Sequence, residues 1–292
     1  MKILVRLLFL LATTSLYAQT APPPCDLQAA TPWIRKWLDA WQFMATDILH
    51  IDAGRPFDMV FFDSTCVYTT SAVSGAGAPA AKGPAFMGRS LLWRTKPHGG
   101  TFTLPTGETV PVQLMSFASG DPKTGPFFVM SAPEIWEKTL KTQNDGTAFT
   151  GVFLHEFSHV RQVGGFKVIG EIEANWKFKE DFDDNVVQKH FESNEEFAKA
   201  WSAERDLLYR AAAAESKAEV RSLAAEALKM IQARQARWFV GDEAVFATLD
   251  SVWLSMEGSG QWTGYAWLRH PKGAGVAAEH RFDVGRLARI AI

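Results

Sequence analysis

Leu154-His155-Glu156-Phe157-Ser158-His159-Val160 is the stretch on which the reading of this chain turns. A His-Glu-x-x-His string is expected by chance only about 0.01 times in a chain of this composition. The spacing has a mechanical reason. Side chains four apart on a helix stand one turn above each other, so both imidazoles enter the same space and can hold one zinc ion. Glu156, beside the first imidazole, is the candidate general base, taking a proton from a water that the metal acidifies. Gly151-Val152-Phe153-Leu154 upstream is uncharged, as a helix packed inside a protein requires. Arg161 departs from that pattern and must turn outward or meet an acid.

Other metal chemistries fail on spacing. A di-iron bundle needs two Glu-x-x-His copies, and Glu156 to His159 is the sole one. The longer pattern His-x-x-Gly-x-x-His is broken, because Gln162 and Gly165 stand where Gly and His are required. A catalytic zinc site takes three protein ligands and leaves one position open. His50, His98, His190, His270 and His280 lack helpful spacing, so a downstream Glu is the better third ligand. Glu171, Glu173, Glu180, Glu192, Glu195, Glu196, Glu204 and Glu257 are eligible. Glu257 is preferred, with Glu204 second. It lies one turn beyond Trp253, on the edge of a helical apolar stripe through Val245, Phe246, Leu249, Val252, Trp253 and Met256, where a lone acid needs a partner. In the competing reading, Gly258 ends the helix and Glu257 points into water.

His155 to His159, taken with Glu257-Gly258-Ser259-Gly260-Gln261-Trp262, resembles the zincin-type metallopeptidases of the gluzincin kind, in which a Glu on a later helix completes the site. Thermolysin's Asn-Glu-x-x-Ser-Asp helix has no counterpart here. The layout is closer to exported bacterial proteins that carry two extra helices between the motifs, and the likeness spans about Phe127 to His270. The resemblance implies zinc on His155, His159 and Glu257, with Glu156 as base and a peptide or protein as substrate. Tyr265 or His280 could donate to the oxyanion, a structural role being the commoner one for either, and Phe127 to Met130 reads equally as an edge strand along which a substrate pairs or as a plain core strand. Apolar neighbours of Glu257 would keep water from the site. The alternative is an exported binding or scaffolding protein whose metal is structural.

Outward from the motif, about 57–131 is strand-rich and about 147–292 is helical, an α+β arrangement in which a small antiparallel sheet precedes the helical region, zincin-like, in one domain over 19–292. Strands are expected at Met59 to Phe62, Cys66 to Thr69 and Phe127 to Met130, with a hairpin from Thr101 to Val112 that continues toward Phe117. Ser74 to Gly83 reads as a mobile loop; no Gly-Lys-Ser/Thr ending makes it a phosphate cradle. Trp33, Trp37, Trp41, Met44 and Ile48 recur at helical spacing. Ser193 with Glu196, and Ser216 with Glu219, read as capping boxes, and Asp242 opens the stripe that carries Glu257.

Composition excludes further classes. The 292 residues are 47% hydrophobic with a formal charge of −2, so disorder is excluded and no basic excess is available for nucleic acid. Residues 1–18 read as a cleaved secretory signal: Lys2 and Arg6 accompany a short apolar run to Ala12, and small and polar residues follow to Ala18. The run is too short for a membrane span, so no stable membrane insertion is expected after cleavage, and the protein is secreted or periplasmic. Cys25 and Cys66 can pair in such a compartment or remain separate thiols. Two cysteines cannot build a Cys-only metal site, which leaves His and carboxylates.

Overall fold

Asp58-Met59-Val60-Phe61-Phe62 forms β1 (Asp58–Phe62), with Met59 to Phe62 wholly buried, so this strand must be covered on both faces. The computed structural model, which describes residues 25–52, 56–121, 123–141 and 146–273, supplies both covers. The other strands are β2 (Cys66–Thr69), β3 (Ala80–Lys82), β4 (Leu92–Pro97), β5 (Thr101–Thr103), β6 (Thr109–Pro111), β7 (Ser116–Asp121) and β8 (Gly125–Ser131). Six of them form one sheet in the order β3-β4-β2-β1-β8-β7, and β5 and β6 pair as a separate hairpin.

The large sheet is mixed rather than antiparallel. β8 returns beside β1 in parallel register, Val60 opposite Val129, while its other neighbour, β7, runs antiparallel to it. The reason is topological. β4 and β3 build outward from β2, the antiparallel neighbour of β1, so the other flank of β1 stays open until the chain comes back. Phe127 to Met130 is consequently an interior strand, and β7 is the edge. The Gly-rich stretch is also more ordered than expected, since β3 inside it pairs with β4.

On one face Met59, Phe61, Tyr68, Trp93, Phe128 and Met130 meet α1 (Leu27–Phe43) and α3 (Gly146–Ser158). Asp26 caps α1 by accepting from the Gln28 amide at 2.8 Å, and the helix runs on as a π-turn over Met44–Ile48. Its Trp37 ring stacks on Phe153 at 5.4 Å, and Trp41 meets Phe157 edge-on at 5.0 Å. On the other face Val60, Phe62, Val67, Phe127 and Val129 pack under Phe102 and Leu104 of the hairpin and the turn after it. A disulfide joins Cys25, just before α1, to Cys66 at the start of β2.

Beyond the sheet come α2 (Pro133–Leu140), which begins the helical part slightly earlier than expected, then α3, α4 (Val163–Glu173) and α5 (Val186–His190). α6 (Glu195–Ala213), α7 (Lys217–Trp238) and α8 (Val245–Arg269) follow, a short 3-10 turn over Gly241–Ala244 leading into α8. Ser216 caps α7 as expected, accepting from the Glu219 amide. At α6 the cap is Asn194 rather than Ser193; its side chain accepts from the Phe197 amide, and one residue further on it is the better placed for N3. α8 does not stop at Gly258 but continues to Arg269. The signal-like residues 1–18 lie outside the described residues.

Candidate metal centre

α3 is held by its apolar side: Phe153, Leu154 and Phe157 have no exposed surface. With those three facing the sheet, His155 and Glu156 face away from it. The α-helix ends at Ser158, and His159 opens a 3-10 turn over His159–Arg161. The motif therefore straddles a helix end, yet the imidazoles still converge, with His155 Nε2 and His159 Nε2 3.2 Å apart. Arg161 resolves its anomaly by turning outward, donating to the Asp52 carbonyl at 2.7 Å.

α8 crosses α3 at very close range, and glycines permit it. A Cβ on Gly264 would stand 3.0 Å from the Gly151 carbonyl oxygen, and one on Gly260 would stand 2.9 to 3.1 Å from three atoms of the His155 ring. This approach carries Glu257 to the imidazoles: Oε2 is 3.2 Å from His155 Nε2, and Oε1 is 3.5 Å from His159 Nε2. Ligands at zinc-like bond lengths of about 2.0–2.1 Å in a tetrahedron lie about 3.3 Å from one another. The three separations, 3.2, 3.2 and 3.5 Å, match that spacing. Two imidazole nitrogens aimed at each other and at one carboxylate are the donor set of a cation site. The residues present therefore fit a metal ion held by nitrogen and oxygen donors, and His155, His159 and Glu257 are the one such metal-capable group among the described residues.

The electrostatics follow from that packing. Burial drives the Glu156 carboxyl up to about 7, Glu257 and Asp184 adding to the rise and His155 opposing it. At His155 burial disfavours the cation, but the bond to Glu257 and the charges of Glu156 and Glu257 outweigh it, and its pKa is raised. His159 goes the other way: burial dominates and lowers it. Glu257 pays for burial too, but its bond to His155 and the two imidazoles hold it below its ordinary value.

His155, His159 and Glu257 thus come together, with Glu156 beside them. Glu204, the second choice for a ligand, does not join them. It is bound to Arg234 of α7, two 2.9 Å bonds from Arg234 Nε reaching its carboxylate, and Arg234 also donates to Asp250 of α8 at 2.9 Å. Tyr265 is engaged by Arg269 through its hydroxyl, at 2.6 Å. His280 lies outside the described residues. The expectation of a site sealed by apolar neighbours is also corrected: the Glu257 side chain keeps 41% of its surface exposed and Trp262 is half exposed, because α8 presents that flank to solvent.

Two residues in contact with the imidazoles escape a reading of the sequence alone. Gln162, which stands there only as the residue that breaks the longer His pattern, is bonded to His159 through Nδ1. Gly260 is part of the Glu257 motif, but its contact with the His155 ring is across space. The usable signal for Gln162 was its place three residues after His159, where a short helical turn folds back on the second imidazole. An open depression of about 650 Å³ begins at Gln162 and Met256 and runs past Ser255, Ser251 and Thr248 to Gln235. Comparison with models of protein families, with curated proteins and with solved structures finds no match for the chain.

Proposed function

We propose that this chain is a zinc-dependent hydrolase acting on peptides or proteins. One observation carries the reading: a carboxylate from α8 meets both motif imidazoles at metal-ligand spacing. When bound, zinc supplies Lewis acidity, polarising a scissile carbonyl and bringing the pKa of a water toward neutrality. The rest is done by the chain. Glu156, a partly buried carboxylate beside His155, takes the proton of the attacking water and returns it to the leaving nitrogen. His155 and His159, packed between the sheet-bound side of α3 and α8, are held in place before any substrate arrives.

Three features support catalysis over a purely structural metal. Structural zinc sites are closed by four protein ligands, whereas the group here has three. The exposed flank of Glu257 admits a substrate. The depression beside Gln162 is mostly apolar, with Ala247, Val252 and Met256 in its lining, and the amides of Gln162 and Gln235 and the hydroxyls of Thr248, Ser251 and Ser255 add donors and acceptors for an extended main chain. For export, the support is the signal-like N-terminus and the Cys25–Cys66 bond, which belongs to an oxidising compartment. No described helix is long and apolar enough to cross a membrane.

The test is metal analysis combined with hydrolysis of casein, denatured protein and peptidoglycan peptides, with chelator and with zinc restored. Glu156→Gln retains stoichiometric zinc and loses hydrolysis. A fully active Glu156→Gln protein, or activity indifferent to chelation, overturns the proposal. Stoichiometric metal with no cleavage in any arm gives the alternative, a binding protein with a structural metal.

A further inference from the structure

A chain of hydrogen bonds leads from the backbone of α8 to the second imidazole, and it fixes which nitrogen of His159 carries the hydrogen. The Met256 carbonyl can only accept. Ser259 Oγ donates to it at 2.9 Å, and Gln162 Nε2 lies 3.4 Å from it and 2.5 Å from Ser259 Oγ. With the Ser259 hydroxyl donating to Met256, Ser259 Oγ is left as an acceptor, and Gln162 presents its amide nitrogen to it across α8. That turns Gln162 Oε1 toward His159 Nδ1, 2.6 Å away. An amide oxygen cannot donate, so Nδ1 carries the hydrogen and Nε2, aimed at His155 and Glu257, holds the lone pair.

We propose that Gln162 is a positioning residue of the metal centre: it sets the tautomer and ring orientation of His159, and it ties the turn after the motif to the helix that carries Glu257. The same residue does both because its amide has one acceptor end and one donor end, and the gap between the turn and α8 is one amide wide. The metal-binding role rests on the zinc reading above; the tautomer does not. Among the described residues the partner of His159 Nδ1 is the Gln162 side chain, on which its orientation depends. Ligating histidines commonly have their second nitrogen held in this way, and loss of the partner costs about 10–100-fold in metal affinity.

The test uses the whole chain, metal-free and then with zinc(II) or cobalt(II) alone. In the metal-free protein at about pH 8, nitrogen-15 NMR of the imidazoles reads the tautomer directly. Wild type shows His159 as the Nδ1–H form. Gln162→Leu loses that preference, and its affinity for zinc, measured by chelator competition, falls about 10–100-fold, while the circular dichroism and thermal midpoint of the metal-free protein stay close to wild type. Gln162→Glu keeps an acceptor toward Nδ1, so it restores the tautomer and retains zinc affinity at or above wild type; the cobalt(II) absorption spectrum of this variant matches wild type. The proposal is overturned by a wild-type His159 in the Nε2–H form, or by a Gln162→Leu protein with unchanged tautomer. A tautomer that responds as stated in a protein that hydrolyses nothing would leave this inference standing and remove the hydrolase.

Discussion

The His155 ring packs directly against Gly260: a Cβ built there would stand 2.9 Å from Cε1, 3.0 Å from Nδ1 and 3.1 Å from Nε2. A side chain at 260 must push the imidazole or the whole of α8 away, and either movement separates Glu257 from His155. Gly260→Ala is therefore expected to weaken zinc binding at least tenfold in chelator competition, with a stability loss of about 1–3 kcal/mol from overpacking. Gly258, which has nothing within 4 Å of its Cβ position, is the control. Gly258→Ala should leave zinc binding as it is, and equal losses in both would refute the packing argument.

Glu257 and Glu204 separate metal binding from stability. Glu257→Ala removes one of the three proposed ligands and should abolish stoichiometric zinc, read by metal analysis after dialysis. Glu204→Gln should leave zinc bound and instead destabilise the fold, because it removes an anion from the buried Arg234 between Glu204 and Asp250. Breaking such a buried pair on one side costs about 3–5 kcal/mol. Urea titration of the metal-free variants checks this, and retained zinc in Glu257→Ala would remove it as a ligand.

The Cys25–Cys66 bond closes a loop of sequence separation 41. Chain-entropy reasoning gives such a cross-link about 3–4 kcal/mol. Cys25→Ser with Cys66→Ser, or reduction of the wild type, should lower the urea midpoint accordingly. Neither cysteine is among His155, His159 and Glu257, so the stoichiometry of the proposed zinc should be unchanged in the folded variant. An unchanged midpoint after complete reduction would contradict the expectation.

Acid stability should depend on Asp63, at the turn between β1 and β2. Burial pushes its carboxyl up, but hydrogen bonds from the Tyr68 hydroxyl, the Thr65 and Cys66 amides and the Thr65 hydroxyl together hold it below its ordinary value of 3.8. A group with a depressed native pKa stabilises fully above its unfolded value and loses that contribution as pH falls through the native one. Urea midpoints should therefore decline below about pH 4, and Asp63→Asn should flatten that part of the curve. The same slope in the variant would show that other carboxylates govern it.

Local chemistry was legible in the sequence because it repeats at short range. His155, Glu156 and His159 could be read from a spacing of four, and Ser216 with Glu219 from a spacing of three; both depend only on the pitch of a helix. The class of the fold could be read too, since apolar runs at β1, β2 and β8 and helical stripes after 147 reflect burial that any compact packing imposes. What failed was the placement of partners. Whether β8 is an edge or an interior strand depends on where the chain returns, and Phe127 to Met130 reads alike in both positions.

The sequence by itself determined that two imidazoles and a carboxylate share one helical turn, that this helix is apolar beneath them, and that any metal here must be held by His and carboxylate. Only the tertiary structure decided between Glu257 and Glu204, both of which lie on helices with apolar faces. Arg234 takes up Glu204, while the glycines at 260 and 264 let α8 approach α3 closely enough for Glu257 to reach both imidazoles. Spacing along a chain says which groups meet within a turn of helix. Contacts across about a hundred residues depend on which surfaces can touch, and here the absence of a Cβ sets that distance.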